Sequence, residues 1–573
     1  MAAYEIIIRG GTIVDGSGGE PFIGDVGITA GRIAAIGVIT ETGAEEIDAA
    51  GLIVTPGFVD VHTHYDGQIT WDDRLAPSSE HGVTTAVFGN CGVGFAPARH
   101  HQREMMIRLM EGVEDIPGVV MAEGVPFNWE TFPEYLDALA QRKSDIDFAA
   151  QIPHSPLRVY VMGERAVSTQ SPTEDDLAEM RRLVKEAVEA GALGVTTSRS
   201  IAHRFSDGKP VPSVKTGEDE LLALAAGLRD AGKGVFQINP NFQNPAQQEF
   251  DMLRRIAEAS GRPLSFTLMA GTGFDWPVLV KGLADANSDN IVMRGQSMPR
   301  SVGILLGLET SYHPFSLNRS YRAIADLPLA ERVARMRDPA FRKQILSEEP
   351  EHNNPIVVAL ISCTSLMFPL GDPPNYLPRV EDSFEARAQA AGRDVREVVY
   401  DALLQNEGHA ILFAPKGNVD GNNIVAGKRL FKYEHVLLGL SDGGAHYGMI
   451  CDASLPTYFL MDCVRDANPG EGISLPRAIK LLTRDTAVSV GVEDRGLIQI
   501  GYKADINVID LDRLTLKAPV VTRDLPANGR RISQKATGYV ATLVSGKVTY
   551  RNGEPTGALP GRLIRGAQQP RLV

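Results

Sequence analysis

Gly57-Phe58-Val59-Asp60-Val61-His62-Thr63-His64-Tyr65-Asp66 joins an apolar strand to a pair of histidines, and the rest of the chain is organised around it. A short β-rich run, Leu52-Ile53-Val54, leads through Pro56-Gly57 into a second apolar run that ends in His62-Thr63-His64. Side chains alternate along a strand, so His62 and His64, at i and i+2, face the same way. Two neutral imidazoles on one face can share a metal ion. The pair equally fits two packing or surface histidines, and the surrounding chain has to decide.

Before this stretch, residues 4–55 read as short strands separated by glycines: Glu5 to Arg9, Thr12 to Asp15, Asp25 to Ile28 and Arg32 to Ile36. The C-terminal part has the same texture, with Ala504 to Asp510, Tyr539 to Val544 and Lys547 to Arg551. A sheet of short hairpins must bury one face against something. We therefore expect residues 1–56 and 490–573 to pair into one small β-sandwich domain, with the middle of the chain inserted between them.

From residue 57 to 489 the rhythm changes to helix, glycine, strand. Thr173 with Asp176 opens a helix, Leu177, Met180, Leu183, Val184, Ala187 and Val188 form its apolar face, and Gly191 stops it before the strand Leu193 to Ser198. The strands Val235 to Asn239 and Leu264 to Leu268 each follow a helix in the same way. Such units predict a parallel sheet with helical crossovers, and their number favours a closed (β/α)8 TIM-type barrel. The segment from about 310 to 430 holds charged helices among Pro-rich loops and reads as a helical or loop insertion.

With 573 residues and a net charge of -14, the chain is a poor partner for nucleic acid or an anionic membrane. Cys91, Cys363, Cys451 and Cys463 are too scattered for a disulfide framework or paired structural zinc ligands, which suits a cytoplasmic protein. No run of about 18 apolar residues exists, and the N-terminus does not read as a signal peptide. A homo-oligomer is the base-rate expectation for a soluble enzyme.

In such a barrel the chemistry sits at the C-terminal strand ends. His62 and His64 lie at one. The next strand, Gly82 to Phe88, ends in Gly89-Asn90-Cys91-Gly92, which puts Cys91 on the same rim as a zinc ligand or as an ordinary buried thiol. Far along the chain, the apolar run Val436 to Leu440 ends in Ser441-Asp442-Gly443-Gly444. Asp442 can bind a metal and take a proton from water, or cap a turn. His446 and Tyr447 follow at once. Arg199 and His203, after the strand at Thr197-Ser198, are candidates for a substrate carboxylate and an oxyanion.

Pro56 to His64 resembles the first metal motif of the amidohydrolase superfamily, Ser441-Asp442-Gly443 its last, and Gly496-Leu497-Ile498-Gln499-Ile500-Gly501-Tyr502-Lys503-Ala504-Asp505-Ile506 the stretch that re-enters the β domain. His64 to Gln68 and Gly89 to Pro97 are similar to the D-aminoacylase (N-acyl-D-amino-acid deacylase) group. The resemblance implies a metal-dependent hydrolase of a C–N amide bond, preferring N-acyl-D-amino acids, with Cys91 as ligand or bridge in place of a carboxylated lysine. That group carries a histidine at the end of strand 5 and of strand 6, where this chain has Asn239 and Leu268. What remains is His62, His64 and Asp442, with Cys91 as a further candidate, which suits one Zn²⁺ with an open position, a second ion or another divalent metal being the alternatives. Asp442 is then the general base and acid, and Arg199, His203, Asn239, His446 and Tyr447 the substrate-binding candidates. The competing expectations are a cyclic-amide or ester hydrolase on the same site, and a metal-free binding or scaffold protein.

Overall fold

The computed structural model describes the chain apart from residues 1, 169, 352–354, 363, 422–423, 425–426 and 572–573, together with the side chains of 355 and 356. Cys363 therefore lies outside the described residues, while Cys91, Cys451 and Cys463 are buried free thiols. No helix among the described residues is long and apolar enough to cross a membrane.

Both chain ends feed one nine-stranded sheet. Ile53–Pro56 runs antiparallel to Ile506–Ile509, with Ile53 opposite Ile509 and Pro56 opposite Ile506. In the hairpin of Tyr4–Ile13 with Phe22–Thr29, Ile6 faces Ile28 and Ile8 faces Val26. Those alternate residues join Ile33, Val54, Val508 and Leu543 in one apolar cluster, as a period of two dictates. The two layers expected of a sandwich are regions of a single curled sheet. The Ile33 N–H donates to the Tyr502 carbonyl at 3.0 Å and the Gly501 N–H to the Ile33 carbonyl at 2.9 Å, which brings one edge of the sheet back beside the segment leading to Ile506.

Eight strands form the barrel: β1 Phe58–Asp60, β2 Val83–Phe88, β3 Asp147–Ala150 (continued by Ile152–Pro153), β4 Gly194–Ser198, β5 Val235–Asn239, β6 Leu264–Thr267, β7 Met293–Ser297 and β8 Val436–Leu438. They pair in parallel in that order. The ring closes just beyond β1 and β8, where Thr63 and Gly443 form a parallel bridge and the His64 N–H donates to the Gly443 carbonyl at 2.7 Å. The helix before β4, Glu174–Ala190, has the expected cap. Thr173 accepts from the Asp176 N–H at 3.2 Å, the Asp176 carboxylate accepts from the Thr173 N–H at 2.8 Å, and Gly191 at φ +123° ends the helix.

The insertion contains more than helices and loops. Val302–Leu306, Phe368–Pro369 and Leu412–Gly417 form an antiparallel three-stranded sheet. Helices Leu329–Arg337, Pro339–Leu346, Phe384–Ala391 and Val395–Leu403 contribute to its own apolar cluster with Leu306, Met336, Ile345 and Tyr400. At the interface of barrel and end sheet sits a buried ion cluster. Arg495 reaches Asp147 at 2.7 Å and Asp494 at 2.9 Å, and Lys503 reaches Asp147 at 2.5 Å and Asp505 at 3.0 Å.

Candidate metal centre

His62 and His64 follow β1 directly, and each is 1% exposed. Their Nε2 atoms converge, each 3.4 Å from Asp442 Oδ1. Their Nδ1 atoms turn outward to different partners: His62 Nδ1 lies 2.8 Å from Gln296 Oε1 on β7, and His64 Nδ1 lies 3.4 Å from Glu114 Oε1. Cys91 Sγ stands 3.5 Å from His62 Nε2, and ligand atoms of His62, His64 and Cys91 all lie within 4.8 Å of one another.

Local sequence explains how these groups get there. Cys91 has φ +55°, a left-handed conformation unusual for a side chain with a Cβ. It is held between two close approaches of backbone: a Cβ on Gly89 would lie 2.2 Å from the Gln151 carbonyl oxygen, and one on Gly92 would lie 2.8 Å from Thr197 Cα. Asn90 fastens β1 to β2, its amide donating to the Thr63 and Val87 carbonyls at 3.1 and 2.9 Å. Asp442 has φ +47° and His446 φ +50°, so the loop after β8 carries strain of the kind that persists where surrounding contacts over-determine it. The Asp442 N–H donates to the His62 carbonyl at 3.2 Å, and a Cβ on Gly444 would meet the Tyr65 ring at 2.7 Å.

The electrostatics call for a cation. Burial pushes the Cys91 thiol and the Glu114 carboxyl well above their ordinary values, and each is pushed further by the negative charge of neighbours, Glu114 and Asp442 for the first, Asp442 and Asp66 for the second. Burial likewise lowers His64 to about 4. Burial would raise Asp442 too, but its contact with His64 and the fields of His62, His64 and His446 outweigh it and hold the carboxylate well below its usual range. Among the described residues, neither ring nitrogen of His64 nor Glu114 Oε1, all buried, has a hydrogen-bond partner. Imidazole, thiol and carboxylate are the donor types zinc takes, and the orphaned nitrogens fit such an ion.

The other expected site residues are dispersed. Arg199 stands at the end of β4, but its guanidinium pairs with Glu249 and lies 3.3 Å from Met252 Sδ. That pairing occupies the charge expected to meet a substrate carboxylate. His203 is kept neutral, its pKa lowered to about 3 by burial and by the nearby imidazoles of His446 and His64, and its Nδ1 has no hydrogen-bond partner among the described residues. Asn239 ends β5 with Oδ1 buried and unpartnered. His446 Nε2 lies 3.5 Å from Glu114 Oε2. The Tyr447 hydroxyl donates to Gln68 Oε1 at 3.1 Å, which ties it to the wall.

One placement is corrected. Leu268 does not take the inward position at the end of β6. It packs toward Gly295 and Leu283, on the helix side of the wall, and Thr267, opposite Gln296 in the register, faces inward with Oγ1 unpartnered. A shift of one residue exchanges the two faces of a strand. Sequence reading also missed Gln296 and Glu114. Gln296 carries a signal only once its strand is known, a polar residue near the end of a barrel strand; Glu114 sits at the end of the amphipathic helix Arg103–Glu114 and carries none.

The amidohydrolase family matches residues 45–358 and 397–550. N-acyl-D-aspartate deacylase of Alcaligenes xylosoxydans xylosoxydans is 26% identical over 585 residues, covering 98% of this chain and 95% of that one. Among solved structures, D-aminoacylase superposes with a TM-score of 0.64 at 22% identity, covering 98% of this chain and 100% of the other. N-acyl-D-glutamate deacylase from Bordetella bronchiseptica, solved with zinc and a phosphonate mimic of the tetrahedral intermediate, gives 0.63 at 21% identity with the same coverage.

Proposed function

This chain belongs to the amidohydrolase family, and from that premise we propose that it is a metal-dependent hydrolase of a non-peptide C–N bond whose substrate is an N-acyl-amino acid, the D-form preferred. The observation that carries the reading is the convergence of His62 Nε2 and His64 Nε2 on one oxygen of Asp442, with Cys91 Sγ beside them. A single divalent ion, zinc first among the choices, would be held by His62, His64 and Asp442 with Cys91 at hand, and would supply Lewis acidity toward the substrate carbonyl and an acidified water.

The chain's own groups do the rest. Asp442 stays ionised at neutral pH and, among the described residues, is the one carboxylate touching both histidines, so it accepts the proton of the attacking water. It returns that proton to the leaving nitrogen. His446, 25% exposed beside Glu114, is placed to meet the substrate, with His203 and Asn239 as further polar contacts. Gln296 fixes the His62 ring by accepting from Nδ1–H, which leaves Nε2 as the ligand nitrogen. The same reading divides the chain into a β domain from residues 1–56 and 490–573 and a catalytic barrel over 57–489. It places a homo-oligomer in the cytoplasm, with the free buried thiols as support.

The test is a screen of N-acyl-D-amino acids, their L-forms and cyclic amides for released amine, run beside metal analysis. Turnover of cyclic amides alone would reassign the substrate. Less than about a tenth of an equivalent of divalent metal, with no activity on adding any, would leave only a scaffold.

A further inference from the structure

Glu114 is the last residue of the helix Arg103–Glu114 and is 1% exposed. The backbone turns at once, Asp115 taking φ +50°, and the Asp115 carboxylate accepts from Ser311 Oγ at 2.7 Å and from the Gly448 N–H at 3.3 Å. The helix end is thereby pinned between the insertion and the loop after β8. Its other flank is equally fixed, since a Cβ on Gly112 would lie 2.3 Å from the Arg204 carbonyl oxygen.

From this anchor the Glu114 carboxylate reaches two imidazoles on different walls of the site. Oε1 lies 3.4 Å from His64 Nδ1 and Oε2 lies 3.5 Å from His446 Nε2, while the Glu114 carbonyl accepts the His446 N–H. No hydrogen bond or ion pair outside these two histidines involves its carboxylate among the described residues, and Glu114 Oε1, His64 Nδ1 and His446 Nδ1 have no hydrogen-bond partner. A carboxylate so enclosed is costly unless cationic or N–H groups answer it.

Resting on the metal-hydrolase reading, we infer that Glu114 is a positioning residue that orients both imidazoles. With the imidazoles turned to close those 3.4 and 3.5 Å approaches, it would accept from His64 Nδ1–H, presenting the Nε2 lone pair to the metal, and from His446 Nε2–H. The two metal histidines thus have unlike supports, a neutral amide behind His62 and a carboxylate behind His64. A carboxylate acceptor raises the basicity of the ligating nitrogen, and such partners carry about 10–100-fold of metal affinity.

The experiment titrates metal-free protein with zinc against a chelating competitor, for wild type, Glu114→Gln and Glu114→Ala. The cobalt-substituted proteins are compared by visible absorption, and kcat/KM is measured at saturating zinc for Glu114→Ala, His446→Ala and the double variant. We expect zinc affinity to fall about 10-fold or more in Glu114→Ala, with Glu114→Gln between it and wild type because an amide oxygen still accepts. The cobalt spectrum should shift, and the kcat/KM loss from Glu114→Ala should shrink when His446 is already alanine. If Glu114→Ala does not fold, the near-isosteric Glu114→Gln decides. Wild type that binds zinc and hydrolyses amides, beside variants within twofold of it in affinity and unchanged in spectrum, overturns the positioning role alone. Wild type that does neither overturns the hydrolase reading and this inference with it.

Discussion

Replacing Asp442 by Asn keeps the volume of the side chain and removes its charge and its capacity to take a proton. In the structure that carboxylate oxygen is 3.4 Å from both His62 Nε2 and His64 Nε2, and the site holds the group ionised against the cost of its burial. Loss of a general base costs about 10²–10⁴ in rate. At about 1.36 kcal/mol per decade this amounts to about 3–5 kcal/mol of transition-state stabilisation. The assay is kcat/KM for amine release at saturating zinc, with bound metal determined on the same sample and the thermal midpoint compared with wild type. The expected variant is folded, binds metal more weakly and is at least 100-fold slower. A metal-loaded Asp442→Asn protein within threefold of wild type would refute the role given to Asp442.

The double variant His62→Ala, His64→Ala should retain no tightly bound metal; full metal content by elemental analysis would place the centre elsewhere. Gln296→Leu strips His62 Nδ1 of its 2.8 Å acceptor, so a loss of about 1–3 kcal/mol in stability and weaker zinc binding are expected, against no change in either if the contact is incidental. Arg495→Leu leaves Asp147, Asp494 and Asp505 with Lys503 as the remaining cation of the cluster, and should lower the denaturant midpoint by an amount worth about 3–5 kcal/mol; an unmoved midpoint would show the cluster to be unimportant. His81 is buried between Thr457 Oγ1 and the Gln534 carbonyl, and burial lowers its pKa from 6.5 to about 4. The native state therefore binds fewer protons than the unfolded state between those values, so stability falls as pH drops from 6.5 to 4, by about 3 kcal/mol for this group. His81→Asn should flatten that part of the stability–pH curve, and an equally steep curve in the variant would exclude His81 as the cause.

Much of the site was legible because its parts are local. Alternation along a strand puts His62 and His64 on one face, and the rule that barrel chemistry gathers at strand ends singles out Cys91 and Asp442 in two further stretches of chain. The capping box at Thr173 was legible for the same reason, since both of its hydrogen bonds span three residues. Leu268 failed because a period of two reads facing correctly only when the register is known, and the pairing of Thr267 with Gln296 supplies that register. The pairing of Arg199 with Glu249 was not legible, because Glu249 lies on the helix Ala246–Ser260 and nothing near Arg199 in sequence announces it. The three-stranded sheet of the insertion was hidden because its strands are short and far apart in the chain.

Local pattern alone marked several barrel strands, the helices between them and the groups at those strands' ends, because these follow from interactions between near neighbours in the chain. The tertiary structure alone decided what those groups face. Closure of the ring at Thr63 and Gly443 brings Asp442 over the histidine pair. Gln296 and Glu114, from a barrel strand and a helix end remote from His62 and His64, meet the outer nitrogens of the two rings. Ring orientation is set by whichever donor or acceptor the folded chain delivers to the second nitrogen, and that is a property of distances between distant residues, which no local pattern encodes.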